Sequence, residues 1–431
     1  MCQVTPWAKS LCRGRDARRG FHTKGTAIFR QHTRSFAVTL ATLCGLVALG
    51  GCISDPAIKR SVRTPYLTGL DTADGADDAL VTADGRALAM TVWRAQPDPA
   101  LPVRAVPKAI VIALHGMNDY AHAFEGAGSA WAESGLTVYA YDQRSFGRSR
   151  TDQDRWPGTA QLVLDLKAMV AAVRDYHPAT PVFVLGHSMG GAVVMQANRA
   201  GQAPGDRPLG ADGVIVAAPA IWGGARMPLA YRLTLSIAAT LAPDKTLTGA
   251  RAARQSTDNI PILRGMQADP LVLKETPLRN VAGLVRLMGR ANTSARDQQG
   301  DILFLLGCRD ELVPVDDLTA VAETIAGSPR TKTTVHGYEA GWHLLFRDLQ
   351  ASRVWADVGD WVADRVVGRV AARPPVADAP PSLPDQGKAP QKNGTVQPGI
   401  KPRRTVPSCS GPSLSFGGGA RHASDTDRTG A

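Results

Sequence analysis

A serine between glycines follows an apolar run near the middle of the chain, in the stretch "VLGHSMGGAVV" that runs from Val184 to Val194. A serine in a G-x-S-x-G pattern is a nucleophile where a buried strand turns sharply into a helix. The glycines are needed because such a turn is tight and neighbouring backbone crowds it. The pattern alone is a weak signal, and the alternative is that Ser188 serves only the turn.

The residues of a base and an acid follow Ser188 in the chain. A serine hydroxyl needs a base to become a useful nucleophile. Asp310 lies three residues after the apolar run "DILFLLG", and His343 lies in "EAGWHLLF", after the strand-like "TKTTV". In α/β-hydrolases the order is Ser, Asp, His, with each residue just beyond a strand. The sequence therefore predicts acyl transfer with Ser188 as nucleophile, His343 as base and Asp310 as the orienting acid.

Other histidines and carboxylates compete for these roles. His336 is the rival base, but it belongs to a predicted strand end. Asp301 begins a strand, whereas Asp316 and Asp317 begin a helix. The histidines that come before or within the serine motif are in the wrong chain order for the base, and we expect them to shape the site: His115 and His187.

An oxyanion formed in ester attack needs two backbone donors. We expect one from Met189, which follows the nucleophile, and one from Met117, in the loop after the apolar run "IVIALHG". This chemistry requires no metal and no cofactor. The sequence also contains no spacing typical of metal ligands.

The elements that must position these residues alternate along the chain. Short apolar runs at 108–116, 136–142, 181–186, 213–219 and 301–307 indicate strands buried on both faces. Helical periodicity occupies 124–135, 160–176 and 352–370. Such alternation predicts an α/β fold with a mostly parallel central sheet and helices on both faces. We predict a hydrolase domain over residues 81–370.

Targeting and tail segments flank this domain. A basic segment and the apolar run "SFAVTLATLCGLVALGGC" resemble a bacterial lipoprotein signal ending at Cys52. We expect a signal peptide over 1–51, lipidation of Cys52, a connector over 52–80 and a disordered Pro/Gly/Ser-rich tail over 371–431. An uncleaved membrane anchor is the alternative. The expected location is the bacterial envelope, facing the periplasm, with the lipid anchor in the outer membrane.

Charge and cysteine use fit a lipid-anchored enzyme. The net charge of +11 comes from the two ends of the chain, while residues 52–370 hold 33 basic and 33 acidic residues. The high pI is therefore no argument for a nucleic-acid partner. The six cysteines imply no disulfide framework, and we expect Cys308 to pack beside a strand end.

The motifs together resemble those of a known family. "ALHGMNDY", "YAYDQRSFGRSR", "VLGHSMGGAVV", "LLGCRDELVP" and "EAGWHLLF" are similar, in order, to those of monoacylglycerol lipase and lysophospholipase-like α/β-hydrolases, the serine aminopeptidase S33-like group. Two departures are Ser145, where relatives usually carry Gly, and Trp342, where a small residue is commoner. The resemblance covers roughly residues 80–370 and implies cleavage of single-chain lipid esters.

A mainly helical cap is expected over about 220–300. It contains the apolar stretch "MPLAYRLTLSIAATLAP", and its 11 basic residues exceed its five acidic ones. The stretch is either a helix packed on the domain or a lid that lines an acyl channel or touches membrane. Two functions stay open beside a lipid-ester hydrolase, namely a general carboxylesterase and a non-catalytic envelope lipoprotein that retains the fold.

Overall fold

The computed structural model describes residues 63–70, 78–96, 106–152, 155–200, 209–248 and 254–372. The predicted signal peptide, the lipidation residue Cys52 and all but the first two residues of the predicted tail lie outside these ranges. Nothing in the structure therefore bears on the predicted signal, anchor or tail.

A nine-stranded sheet forms the centre of the described chain, in the order β1-β2-β3-β5-β4-β6-β7-β10-β11. The strands from β4 onward in this sheet pair in parallel, and β1, β2 and β3 are antiparallel. Their bounds are β1 Tyr66–Thr68, β2 Ala79–Val81, β3 Ala87–Trp93, β4 Ala109–Leu114, β5 Leu136–Tyr141, β6 Val182–His187, β7 Gly213–Ala217, β10 Gly300–Gly307 and β11 Thr331–Tyr338.

The central strands are continuous apolar runs because helices cover both faces of the sheet. Every residue of β4, β5, β6 and β7 is buried. Within the described ranges, five α-helices lie outside the cap: α1 Glu125–Glu133, α2 Thr159–Tyr176, α3 Met189–Ala197, α7 Val315–Ala326 and α8 Ala351–Ala372. The predicted α/β-hydrolase architecture, with its mostly parallel sheet, is confirmed.

The sheet begins earlier than the predicted domain. β1 and most of β2 fall within the stretch that the sequence assigned to a connector, 52–80. A strand of three residues gives too short a pattern to recognise in the sequence. β1 is held by pairing with β2, and β2 by pairing with β3.

The cap lies between β7 and β10. It contains α4 Leu229–Leu241, α5 Ile260–Ala268 and α6 Leu278–Thr293, together with the short antiparallel pair β8 Thr246–Thr248 and β9 Glu275–Pro277. An alanine-rich face of α4 packs on Leu278 and Ala282 of α6. The opposite face carries a stripe of exposed apolar side chains at helical spacing, which we call the α4 stripe: Leu229, Leu233, Ile237 and Leu241.

None of the helices in the described ranges combines the length and the apolar character that a bilayer span requires. Cys308, just after β10, takes part in a disulfide bond. Its side chain packs against the hydrophobic core beside the strand end, as the sequence predicted. The sequence implied no disulfide framework, and cysteine spacing alone cannot reveal a single long-range pairing.

Candidate active site

Ser188 lies at a strained turn between β6 and α3. Its backbone has φ +52° and ψ −114°, a conformation that non-glycine residues rarely adopt. Two glycines make the turn possible: a side chain on Gly186 would overlap the carbonyl of Gly190, and one on Gly190 would overlap the carbonyl of Leu114. The strand, turn and helix thus hold the Ser188 side chain beyond the end of β6, where it is partly accessible.

The structure brings the three predicted side chains together. Nε2 of His343 lies 2.9 Å from Oγ of Ser188. Nδ1 of His343 lies 2.7 Å from Oδ2 of Asp310. Since a carboxylate accepts, Nδ1 of His343 carries the proton, and the free Nε2 is placed to accept the proton of Ser188.

Two loops position the acid and the base. The acid loop, residues 308–314, connects β10 to α7, and the base loop, residues 339–350, connects β11 to α8. Oδ1 of Asp310 accepts the amides of Leu312 and Val313 at 2.8 and 2.9 Å. His343 and Asp310 are buried, so the second carboxylate oxygen is aimed at the imidazole while the first is fixed by its own loop.

The rival residues lie elsewhere. Nδ1 of His336 is 3.6 Å from Asp357 of α8, on a partly exposed surface. Asp301 pairs with Arg365 at 3.8 Å, and Asp317 forms an ion pair with Arg226. The described contacts of these side chains include none to Ser188.

The predicted oxyanion donors flank the serine. Met189 is the first residue of α3, where backbone amides have no acceptor within the helix. Met117 belongs to the oxyanion loop, residues 115–120, and a side chain on the preceding Gly116 would lie 3.3 Å from Cβ of Ser188. Among the described residues neither amide finds an acceptor, so both are available to a bound oxyanion.

The two earlier histidines support the loops around the site. Nε2 of His187 donates to the carbonyl of His343 at 2.8 Å. Burial, with a smaller contribution from His343, lowers the pKa of His187 to about 3, so it is neutral at pH 7. Nδ1 of His115 donates to the carbonyl of Gly116, and its Nε2 accepts the amide of Gln143 at 2.8 Å. Burial lowers the pKa of His115 as well.

An ion pair that the sequence analysis missed joins two of these loops. Asp119 of the oxyanion loop pairs with Arg347 of the base loop, and both side chains are largely buried. The pair spans 228 positions of the sequence. Asp119 is two residues from Met117 and Arg347 is four from His343. The pair therefore links the loop of the predicted oxyanion donor to the loop of the predicted base. Only their proximity to the motifs could have indicated a role.

One departure from the family pattern has a structural counterpart. Ser145 has φ +76°, in the region that favours glycine. Its hydroxyl donates to the carbonyl of Arg155 at 2.9 Å. This hydrogen bond stabilises a backbone conformation that glycine adopts more readily than serine. Trp342, the other departure, has its backbone amide bound to Asp348 at 2.7 Å.

Comparison with known proteins gives a consistent family match. Residues 105–350 match the family model described as serine aminopeptidase, S33. The chain is 24% identical over 261 residues to a monoacylglycerol lipase of Mycolicibacterium smegmatis, covering 60% of this chain and 90% of that protein. It is also 24% identical over 297 residues to the monoglyceride lipase of Rattus norvegicus, covering 67% and 90%.

The fold is similar to that of a solved lipase. The Paleococcus ferrophilus monoacylglycerol lipase superimposes with a TM-score of 0.51 at 17% identity, over 64% of this chain and 99% of that one. At this identity the likeness establishes the fold alone.

Proposed function

Because the chain belongs to the serine aminopeptidase S33 family, we propose that it cleaves carboxylic esters of single-chain lipids, monoacylglycerol or lysophospholipid, through an acyl-enzyme on Ser188. The chain is a carboxylic ester hydrolase with the α/β-hydrolase fold. The observation that carries the proposed mechanism is the continuous set of hydrogen bonds from Ser188 through His343 to Asp310.

Acylation uses the hydrogen bonds already present. Nε2 of His343 takes the proton of Ser188 as Oγ attacks the ester carbonyl carbon. Asp310 stabilises the imidazolium that forms and fixes its orientation. The carbonyl oxygen becomes an oxyanion, which accepts hydrogen bonds from the amides of Met117 and Met189. Removal of one such donor typically costs ~100- to 1,000-fold in kcat.

Release of the products reverses the proton transfer. The imidazolium of His343 donates its proton to the leaving alcohol oxygen, the carbon–oxygen bond of the ester breaks, and the acyl group stays on Ser188. A water molecule then gives a proton to Nε2 of His343 and attacks the acyl carbon. Collapse of that second tetrahedral species frees the fatty acid and returns the proton to Ser188.

The cap surface favours a lipid as the source of the acyl group. Leu233 and Ile237 of the α4 stripe are 41% and 47% exposed, in a helix whose other face is packed. An exposed apolar stripe of this kind is typical of an interaction site. The similar proteins named above are monoacylglycerol lipases, and the stripe suits an enzyme that takes its substrate from a lipid surface.

The excess of basic over acidic residues in the cap indicates which head group the lipid substrate carries. Residues 220–300 hold 11 basic and five acidic residues. This balance favours an anionic lipid surface or a phosphate-bearing lysolipid over the cationic amine of an aminopeptidase substrate. We place the enzyme at the envelope membrane through lipidated Cys52, on the basis of the sequence signal.

A substrate panel tests the proposal. The wild-type chain and Ser188→Ala are compared on p-nitrophenyl acetate, a medium-chain p-nitrophenyl ester, a monoacylglycerol, a lysophospholipid and an aminoacyl amide. We expect kcat/KM to rise from the acetate to medium chains, since each buried methylene contributes about 0.8 kcal/mol. Highest efficiency on acetate would instead indicate a general carboxylesterase, and cleavage of the amide alone would indicate an aminopeptidase.

A further inference from the structure

A polar segment of the cap runs along both loops that carry the acid and the base. We call residues 254–259, with the sequence Arg-Gln-Ser-Thr-Asp-Asn, the strap. It leads directly into α5, which begins at Ile260. None of its side chains contacts Ser188, His343 or Asp310 in the described hydrogen bonds, so its role is not visible from the three residues themselves.

The first end of the strap binds the acid loop beside Asp310. The backbone amide of Gln255 donates to the carboxylate of Glu311 at 2.7 Å. The guanidinium of Arg254 donates to the backbone carbonyl of the same residue. Glu311 directly follows Asp310, so the strap holds the backbone immediately beside the acid.

The rest of the strap binds the base loop on the C-terminal side of His343. The carbonyl of Ser256 accepts the amide of Leu344 at 2.9 Å. The side-chain amide of Asn259 donates to the carbonyl of Arg347 at 3.0 Å. Oδ1 of Asp258 accepts the amide of Leu349 at 2.9 Å. Thr257 also hydrogen-bonds the carboxylate of Asp348. Four bonds thus hold the six residues that follow the base.

The side chains of the strap do not serve their own helix. Asp and Asn ahead of a helix normally accept its first free amides. Asn259 is the N-cap of α5, yet it makes no side-chain cap bond there. Its amide group is directed to Arg347, and Asp258 is directed to Leu349. The usual N-capping preference is therefore not met at α5. The two side chains instead stabilise the base loop.

A cavity borders the base loop on the side of the strap. A cavity of about 490 Å³ lies between the base loop, the strap, α5 and α1, with Asn259, Arg347, Leu349, Met266 and Trp355 in its walls. Leu345 and Phe346 of the base loop pack in the core. On the side that faces the cavity, the hydrogen bonds of the strap and the Asp119–Arg347 pair hold the loop.

The same part of the cap also binds the oxyanion loop. The hydroxyl of Tyr120 donates to Asp269, the C-cap of α5, at 2.7 Å. The carbonyl of Asn118 accepts the amide of Leu273 at 2.9 Å, and its side chain donates to Thr276 at 2.6 Å. The cap segment from the strap to β9 thus contacts all three loops that would act on the ester.

We propose that the strap is a positioning element for His343, with Asp258 and Asn259 as its positioning residues, and that the cap sets the reactivity of Ser188 through it. The inference rests on the proposed catalytic roles of Ser188, His343 and Asp310. A misplacement of about 1 Å, caused by a change far from the reacting atoms, can cost about 100-fold in rate. Loss of the strap bonds would therefore slow acylation without removing any group that touches the substrate.

The experiment uses the full chain and a small soluble ester, so that lipid binding by the cap does not enter. Asp258→Ala/Asn259→Ala removes the side-chain bonds to Leu349 and Arg347. We expect kcat on p-nitrophenyl butyrate to fall about tenfold, with KM changed less than about twofold. The rate at which a fluorophosphonate labels Ser188 should fall in parallel, since both reactions need the base.

Two matched variants separate positioning from general weakening. Asp258→Asn keeps an acceptor oxygen and should retain most of the wild-type kcat. Asn292→Ala/Thr293→Ala removes two cap hydrogen bonds, to Ile221 and Gly289, away from the three loops. It should retain wild-type kcat and labelling rate. Asn259→Ala alone, at a half-buried residue, provides a milder variant if the double variant fails to fold.

The outcomes distinguish this inference from the proposed function. A folded double variant, or a folded Asn259→Ala, with the kcat and labelling rate of the control would overturn the strap proposal. A loss in Asp258→Asn as large as that of the double variant would also contradict it, because the acceptor oxygen would then not matter. Full hydrolysis by Ser188→Ala would instead overturn the proposed function and leave the strap without a base to position.

Discussion

The Ser188 hydroxyl gains its proposed reactivity from its neighbours rather than from its own chemistry. The turn that holds it is strained, at φ +52°, and the imidazole beside it is fixed at both nitrogens. Strain of this kind persists only where surrounding structure over-determines it. Here the crowded glycines and the buried β6 strand provide that constraint.

The assignment of the base gives a first prediction. His343→Ala should lower kcat by at least about 1,000-fold, because the serine loses its proton acceptor. His336→Ala should leave kcat within about twofold, as expected for a surface substitution. Steady-state rates on one soluble ester, corrected for folded protein by circular dichroism, compare the two. A larger loss in His336→Ala would reverse the assignment.

The buried neutral His187 gives a second prediction, for stability against pH. Its pKa lies near 3 in the folded chain and near 6.5 when unfolded, so below pH 6.5 the unfolded state binds more protons. Folding stability should then fall as the pH drops from 6.5 toward 3, by about 1.4 kcal/mol per pH unit from this residue.

His187→Gln keeps a donor for the His343 carbonyl and removes the titration. Its midpoint of urea unfolding should depend less steeply on pH between 6.5 and 4 than that of the wild-type chain. The same slope in both proteins would mean that His187 is not the group responsible. His115, also buried with a lowered pKa, should account for part of the remaining slope.

The exposed face of α4 gives a prediction at the level of one helix. Leu233→Asn/Ile237→Asn should reduce hydrolysis of a monoacylglycerol in vesicles several-fold, since less apolar surface is then available to the lipid. Turnover of p-nitrophenyl acetate in solution should not change. Leu164→Asn, at an exposed leucine of α2 on the body of the domain, is the matched control for a lost surface leucine.

A parallel loss on vesicles and on acetate would place these side chains in the fold rather than at the lipid surface. Co-sedimentation with anionic and neutral vesicles adds a second readout. Binding should be stronger to anionic vesicles at low salt and should weaken as salt screens the basic cap.

The elements differ in how far the sequence could predict them. Strands β4 to β7 and helix α2 carry long, regular apolar patterns, and they lie within a few residues of the predicted bounds. The three-residue strands β1, β8 and β9 have no such pattern and depend on tertiary pairing. The sequence also left open whether the apolar stretch of α4 packs on the domain or serves as a lid. Its contacts with α6 show which face is packed.

The residues of the site also differ in how far the sequence could predict them. Ser188, Asp310 and His343 could be proposed because each follows a strand in a fixed chain order. The Asp119–Arg347 pair and the strap could not, since their residue types are common on any polar loop. Their partners lie up to 228 positions away, and nothing local in the sequence indicates such contacts.

For the molecule as a whole, attachment to a membrane is the sequence-based prediction that most affects function. Cys52→Ser should block lipidation and lipoprotein-type processing and release the protein from the membrane fraction, because stable anchoring needs more than one acyl chain. Fractionation with metabolic labelling by a fatty-acid probe measures both effects. Identical processing and distribution of the variant and the wild-type chain would show that the lipoprotein signal was misread.

The most direct test of the central claim is to isolate the acyl-enzyme. The full chain is mixed with a monoacylglycerol, quenched in acid during turnover, digested and analysed by mass spectrometry. We predict that the peptide containing Ser188 gains the mass of the fatty acid less water, with the acyl group on the Ser188 side chain. Ser188→Ala should show neither the adduct nor hydrolysis. An adduct on another residue, or sustained hydrolysis by Ser188→Ala, would contradict the account.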